Sequence, residues 1–136
     1  MGLAWVIILD THVWVNWLLL GEDSLSPPIN SAIASERHVA VSAISCFEVS
    51  LLVKRGKLEL PLTVDEWLPE ALGNSGIGCV PVSCEIARLS VSLQDVHKDP
   101  ADRIIIATVL AYDALLASLD STFPAYPELA GRLVSR

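Results

Sequence analysis

Four acidic residues, Asp10, Glu48, Asp102 and Asp120, each stand beside a strongly apolar stretch. They fall where strands should end or helices should begin. Carboxylates gathered at one place repel one another and call for a hard cation between them. Such a cluster has the chemistry of a Mg²⁺ or Mn²⁺ site acting on phosphate groups. Asp10 is the most telling, because a carboxylate closing the strand-like VIIL run is costly to bury unless it is paired or metal-bound. The other three have simpler explanations when taken singly. Glu48 completes a capping box with Ser45, Asp102 favours the positive end of a helix dipole, and Asp120 can start a turn with Ser121.

The elements that must position these residues follow from the pattern. Ala4–Leu9 reads as a buried strand, and Thr11–Leu20 as a helix stopped by Gly21. Pro27 or Pro28 opens a second helix reaching Arg37, and His38–Ser42 is a second strand. Ser45 caps a helix that runs to Arg55, while Thr63 and Glu66 form a capping box for another ending near Leu72. A strand at Ile77–Val82 precedes a helix capped by Ser83 and running to about Val96, with Ile86, Leu89, Val91 and Leu93 on its inner side. Asp99 caps the next helix, with Pro100 in its first turn and Asp102 three residues on. Leu115–Leu119 is a strand ending at Asp120, and Arg132–Ser135 is a final edge strand.

Strands alternating with helices indicate a three-layer α/β/α domain with a central, mostly parallel sheet. In such a sheet the strands' carboxyl ends share one edge, where ligands bind. Four acids spread along the chain can therefore meet there. Thr11 and Ser118 flank them and are placed to hold water or phosphate oxygens, or simply to form turns. Asp99 is an N-cap that can also support a metal from the second layer. Arg103 suits either a phosphate contact or an ion pair with Asp99.

Composition bounds the rest. A chain of 136 residues is read as a single domain. The hydrophobic fraction of 52% and mean hydropathy of +0.51 fit strands buried on both faces, with apolar surface left for a partner. Asp10, His12 and Asn16 interrupt the run from Leu3 to Leu20, which lacks a basic leader. No signal peptide or membrane anchor is expected, and the default location is cytoplasmic. Cys46, Cys79 and Cys84 lack the spacing of a zinc site or disulfide framework and read as reduced, mostly buried residues. His12, His38 and His97 show no ligand spacing, and Trp14 and Trp17 read as core or interface. The net charge of −7 offers no broad basic field for nucleic acid, leaving local cations such as Lys54, Arg55, Lys57, Lys98 and Arg103.

With these residues in place, the chain resembles the PIN-domain family, specifically the VapC-type toxins of toxin–antitoxin pairs. The resemblance rests on ILDTHVWVNWL, SAISCFEVSLLVKRGKLEL, HKDPADRIIIATVLAYDALLASLD and FPAYPEL in that order, and spans residues 1–136 as one PIN-like domain. Phe47 replaces the Trp that often precedes the family's Glu, preserving an apolar anchor, and Ser118 stands where Thr is common. The resemblance implies that Asp10, Glu48, Asp102 and Asp120 are both catalytic residues and ligands of Mg²⁺ or Mn²⁺. It implies hydrolysis of RNA phosphodiesters by a metal-activated water, leaving a 5′-phosphate and a 3′-hydroxyl. It also implies a homodimer and a cognate VapB-type antitoxin whose C-terminal segment lies near the site. Two other readings stand beside it: a non-catalytic PIN-like interaction protein, and a Mg²⁺-dependent phosphoacceptor receiver domain.

Overall fold

The computed structural model describes residues 5–35, 37–96 and 98–136. Five strands form one sheet: β1 (Val6–Leu9), β2 (His38–Ser42), β3 (Gly78–Val80), β4 (Leu115–Ala117) and β5 (Leu133–Val134). Their order is β3-β2-β1-β4-β5, and every pairing is parallel. Among the described residues six helices connect them: α1 (Thr11–Leu20), α2 (Pro27–Ala34), α3 (Ala43–Lys54), α4 (Val64–Ala71), α5 (Cys84–Ser92) and α6 (Pro100–Ala111).

Residues alternate across the strands, so β1 feeds two cores. Ile7 and Leu9 pack with Val13, Trp14, Ile29, Val49 and Trp67 from α1–α4. Ile8 packs on the opposite face with Ile86, Ile105, Ile106 and Val109 from α5 and α6. Two 3₁₀ turns, Phe123–Ala125 and Pro127–Leu129, seal this second core with Phe123, Tyr126 and Leu129. A sheet covered on both faces explains why its strands read as continuous apolar runs rather than alternating ones.

The strand order has a direct consequence for function. The chain moves outward from β1 through β2 to β3, then returns to lay β4 against the other side of β1. Successive connections therefore diverge above the carboxyl ends of β1 and β4, opening a crevice there. Asp10 follows β1 directly, and Ser118 follows β4. Trp14 fixes how α1 sits over the sheet. Its ring packs 5.1 Å from that of Trp67, and its Nε1–H donates to the Ala71 carbonyl at 3.0 Å.

Several boundaries differ from the sequence expectation. β1 begins at Val6; Trp5 is exposed, and Ala4 lies outside the described residues. α2 stops at Ala34 and does not reach Arg37, with Glu36 outside the described residues. The third strand covers only Gly78–Val80 of the expected Ile77–Val82. Helix α3 starts earlier than expected: Ser42, the last residue of β2, is its cap and accepts from the Ile44 N–H at 3.2 Å. Ser45 is consequently buried inside the first turn, so the expected Ser45–Glu48 capping box does not form. The Thr63–Glu66 box does form.

Val91, expected on the inner side of α5, is 80% exposed. Phe47, expected as an apolar anchor, is 58% exposed. The cysteines are free, but Cys79 and Cys84 are exposed and Cys46 is half-buried, against the expectation of burial. Among the described residues, no helix is long and apolar enough to cross a membrane.

Candidate active site

At the crevice between β1 and β4, Asp10, Glu48, Asp99, Asp102 and Asp120 line a cleft of about 110 Å³, together with Thr11 and His12. The four acids singled out in the sequence thus share one cavity with a fifth. Among the described residues, no Lys or Arg lines it.

Asp10 is 4% exposed and holds two structural bonds. It caps α1 by accepting from the Val13 N–H at 2.8 Å, and it accepts from the buried Ser118 hydroxyl. The same Ser118 oxygen accepts from the Asp120 N–H at 3.0 Å, so one hydroxyl ties the acid of β1 to the acid beyond β4. Asp120 lies three residues past the strand end. It closes its own turn by accepting from the Thr122 N–H and hydroxyl at 2.9 and 2.8 Å.

Glu48 enters from the second turn of α3, not from a cap. Thr11 donates its hydroxyl proton to Glu48 Oε1, and the Thr11 and Ser45 hydroxyls lie 2.8 Å apart. A hydroxyl has one proton, so the Ser45 hydroxyl supplies the bond to Thr11 once Thr11 donates to the carboxylate. Thr11 and Ser118 are therefore hydrogen-bonded to Glu48 and Asp10, respectively. Ser45 belongs to this set, and its capping-box pattern with Glu48 masks that role in the sequence. The usable signal was Ser42, a Ser directly at the end of a β-branched run.

α6 delivers two acids from one turn. Asp99 is its N-cap and accepts from the Ala101 and Asp102 N–H groups at 3.0 and 3.4 Å, while Asp102 sits in the first turn. Arg103 points elsewhere. Its guanidinium donates to the carbonyls of Ser90, Gln94 and Leu93 at 3.1, 3.0 and 2.8 Å and lies 3.8 Å from Asp95. It closes the end of α5, and these bonds give the cation a packing role. Lys54 and Arg55 end α3 about 9 Å of helix rise beyond Glu48, on the side away from the sheet edge. His12 is exposed and lines the cleft without H-x-x-x-H spacing; His97 lies outside the described residues.

The electrostatics follow from burial first and crowding second. Asp102 is pushed up to about 7, first by burial and then by Asp99, Glu48, Asp120 and Asp10. Burial likewise raises Asp10, against the Ser118 and Val13 bonds that lower it. Glu48 is raised by burial and by Asp99, against the Thr11 bond. The Cys46 thiol is pushed up to about 11 by burial and by Cys79, which leaves it unsuited to act as a thiolate nucleophile.

An all-carboxylate donor set suits a hard divalent cation and not a soft metal. Among the described residues, no three His, Cys, Asp or Glu side chains draw together into a closed metal-holding group. The donor chemistry of the cleft fits a hard divalent cation such as Mg²⁺ or Mn²⁺.

The model of the PIN domain matches residues 7–129. The chain belongs to the PIN-domain family. This PIN domain is 30% identical over 115 residues to ribonuclease VapC22 of Mycobacterium tuberculosis, covering 84% of the present chain and 86% of the relative. Its fold is shared with VapBC2 of Rickettsia felis bound to a promoter DNA fragment (TM-score 0.68, 18% identity, 94% and 96% coverage). It is also shared with a toxin–antitoxin complex from Klebsiella pneumoniae (TM-score 0.64, 22% identity, 95% and 96% coverage). The strand order separates this PIN domain from receiver domains, whose sheet runs 2-1-3-4-5.

Proposed function

We propose that the chain is a divalent-cation-dependent endoribonuclease and the toxin of a toxin–antitoxin pair. The observation that carries this reading is the cleft at the β1–β4 crevice, which five carboxylates line together. The similarity to a relative named a ribonuclease supports RNA as substrate.

Asp10, Glu48, Asp102 and Asp120 would hold Mg²⁺ or Mn²⁺. The cation, when bound, supplies an acidified water and charge stabilisation for phosphodiester hydrolysis. The chain's own part is positional. Ser118 orients Asp10, Thr11 orients Glu48, and the dipole of α6 favours the ionised form of Asp102 in its first turn. Asp99 caps α6 and adds negative charge at the rim.

An antitoxin is the natural partner, as the toxin–antitoxin complex from Klebsiella pneumoniae suggests. The acidic cleft is complementary to a basic side chain from such a partner. Exposed Phe47, Val91 and Tyr112 supply apolar surface for a homodimer. A cytoplasmic location accords with an RNA substrate.

The test is to incubate antitoxin-free protein with total RNA in Mg²⁺ or in EDTA and to map the product ends. The expected result is cleavage in Mg²⁺ alone, giving 5′-phosphate and 3′-hydroxyl ends. Cyclic phosphate ends, or cleavage indifferent to EDTA, would overturn the proposal.

A further inference from the structure

A second cavity, of about 250 Å³, adjoins the carboxylate cleft and shares Asp10, His12 and Asp120 with it. Its remaining walls are Val13, Asn16, Leu25 and Leu119. We propose that this cavity is a subsite for one unpaired nucleobase next to the scissile phosphate, read by the Asn16 carboxamide. The proposal rests on the ribonuclease reading of the adjoining cleft.

Three features of the cavity select this occupant. First, among the described residues no Lys or Arg lines it, so its walls offer a phosphate no cationic side chain while an uncharged ring is accepted. Second, its volume lies below the ~300–1,000 Å³ of ordinary small-molecule pockets, which suits a single flat heterocycle and excludes a duplex. Third, its chemistry is divided as base recognition requires. Val13, Leu25 and Leu119 offer apolar contact to the ring, while Asn16 offers a donor and an acceptor side by side. That pair matches the amino group and N7 of adenine. Single-stranded RNA exposes such edges because its bases can be splayed from the stack.

Helix geometry links the two cavities. His12, Val13 and Asn16 lie at i, i+1 and i+4 along α1, so Val13 and Asn16 are neighbours on the face that begins at the Asp10 cap. Asn16 stands about 9 Å along the helix from Asp10. It is half-buried, and its side chain makes no hydrogen bond among the described residues, leaving both amide atoms for a ligand. A strand whose phosphate lies among the carboxylates can place a neighbouring base on this face.

The test measures binding apart from cleavage. In an Asp102→Asn background, which lies outside this cavity, short oligoadenylate, oligocytidylate and oligouridylate are titrated in Mg²⁺ by fluorescence anisotropy. Asn16→Ala and the similarly sized Asn16→Leu are then compared. The expected result is tightest binding of oligoadenylate, with a preference of about tenfold that both variants abolish. Equal affinity for all three oligomers, or a preference unchanged by either variant, would overturn the subsite. A cavity that instead takes an apolar side chain of a protein partner gives that flat result. Cleavage of total RNA by the Asp102 protein, run in parallel, reports separately on the nuclease reading.

Discussion

Asp102 and Arg103 are adjacent on α6, yet they serve opposite ends. Arg103 turns toward α5 and spends its donors on the carbonyls of Ser90, Leu93 and Gln94, meeting acceptors that the end of that helix leaves open. Asp102 turns toward the cleft, where burial and four neighbouring acids raise it to about 7. One side chain completes a local hydrogen-bond account, and the other adds to an electrostatic imbalance. The contrast separates residues that hold the fold from residues held ready by it. A charged group bonded to carbonyls of its own chain explains structure, whereas several like charges crowded into one cleft point outward to a ligand.

The largest expected effect comes from Asp10→Asn. Asn keeps the helix cap as well as Asp does, so the fold should survive while RNA cleavage falls on the order of 10³-fold, about 4 kcal/mol of barrier. The melting temperature of the metal-free variant should equal or exceed that of the parent at pH 7, because a destabilised buried carboxylate is replaced by a neutral isostere. A variant that cuts at the parent rate would remove Asp10 from the site.

Next is Arg103→Met, which acts on the other side of the comparison. It should cost about 2–3 kcal/mol in denaturant unfolding, since carbonyls at the end of α5 lose charged donors, while cleavage per folded molecule stays within a few-fold. A large loss of activity without a loss of stability would place Arg103 with the substrate.

Thr11→Val is expected to lower cleavage about tenfold by freeing Glu48, in line with the loss of a residue that orients a ligand. Ser118→Ala should behave similarly through Asp10. Either variant showing full activity would make these hydroxyls packing groups alone.

The smallest effect concerns pH. The Asp102 carboxyl sits at about 7 in the folded protein against 3.8 as its ordinary value, so the native state holds that proton more firmly than the unfolded chain. Its contribution to stability is present at low pH and is lost as pH rises between those values. Melting temperatures of metal-free parent and Asp102→Asn should therefore diverge in favour of the variant from pH 4 to about 7. Parallel curves would show that Asp102 is not crowded.

The sheet and the meeting of the four acids at one edge were legible in the chain because they rest on patterns with few alternatives. The VIIL run before Asp10 and the HVAVS run have no comfortable reading except buried strands, and an acid at the end of such a run demands a reason. The cap of α3 was less legible, since Ser42 and Ser45 both begin plausible helices and only the length of β2 decides between them. Arg103 was illegible for a different reason: its partners are backbone carbonyls of another helix, which carry no side-chain signal. Exposure of Phe47 and Val91 likewise depends on how neighbouring helices pack, which helical spacing alone does not fix. Asn16 was noticed only as a break in an apolar run, because its neighbours Leu25 and Leu119 come from distant segments.

Calorimetric titration of Mn²⁺ into the metal-free protein at pH 7 tests the central claim most directly, comparing the parent with Asp10→Asn. The account predicts saturable binding by the parent, with proton release as Asp102 ionises, and loss of that binding in the variant. Equal binding by both proteins, or none by the parent, would contradict a cation site built from these carboxylates.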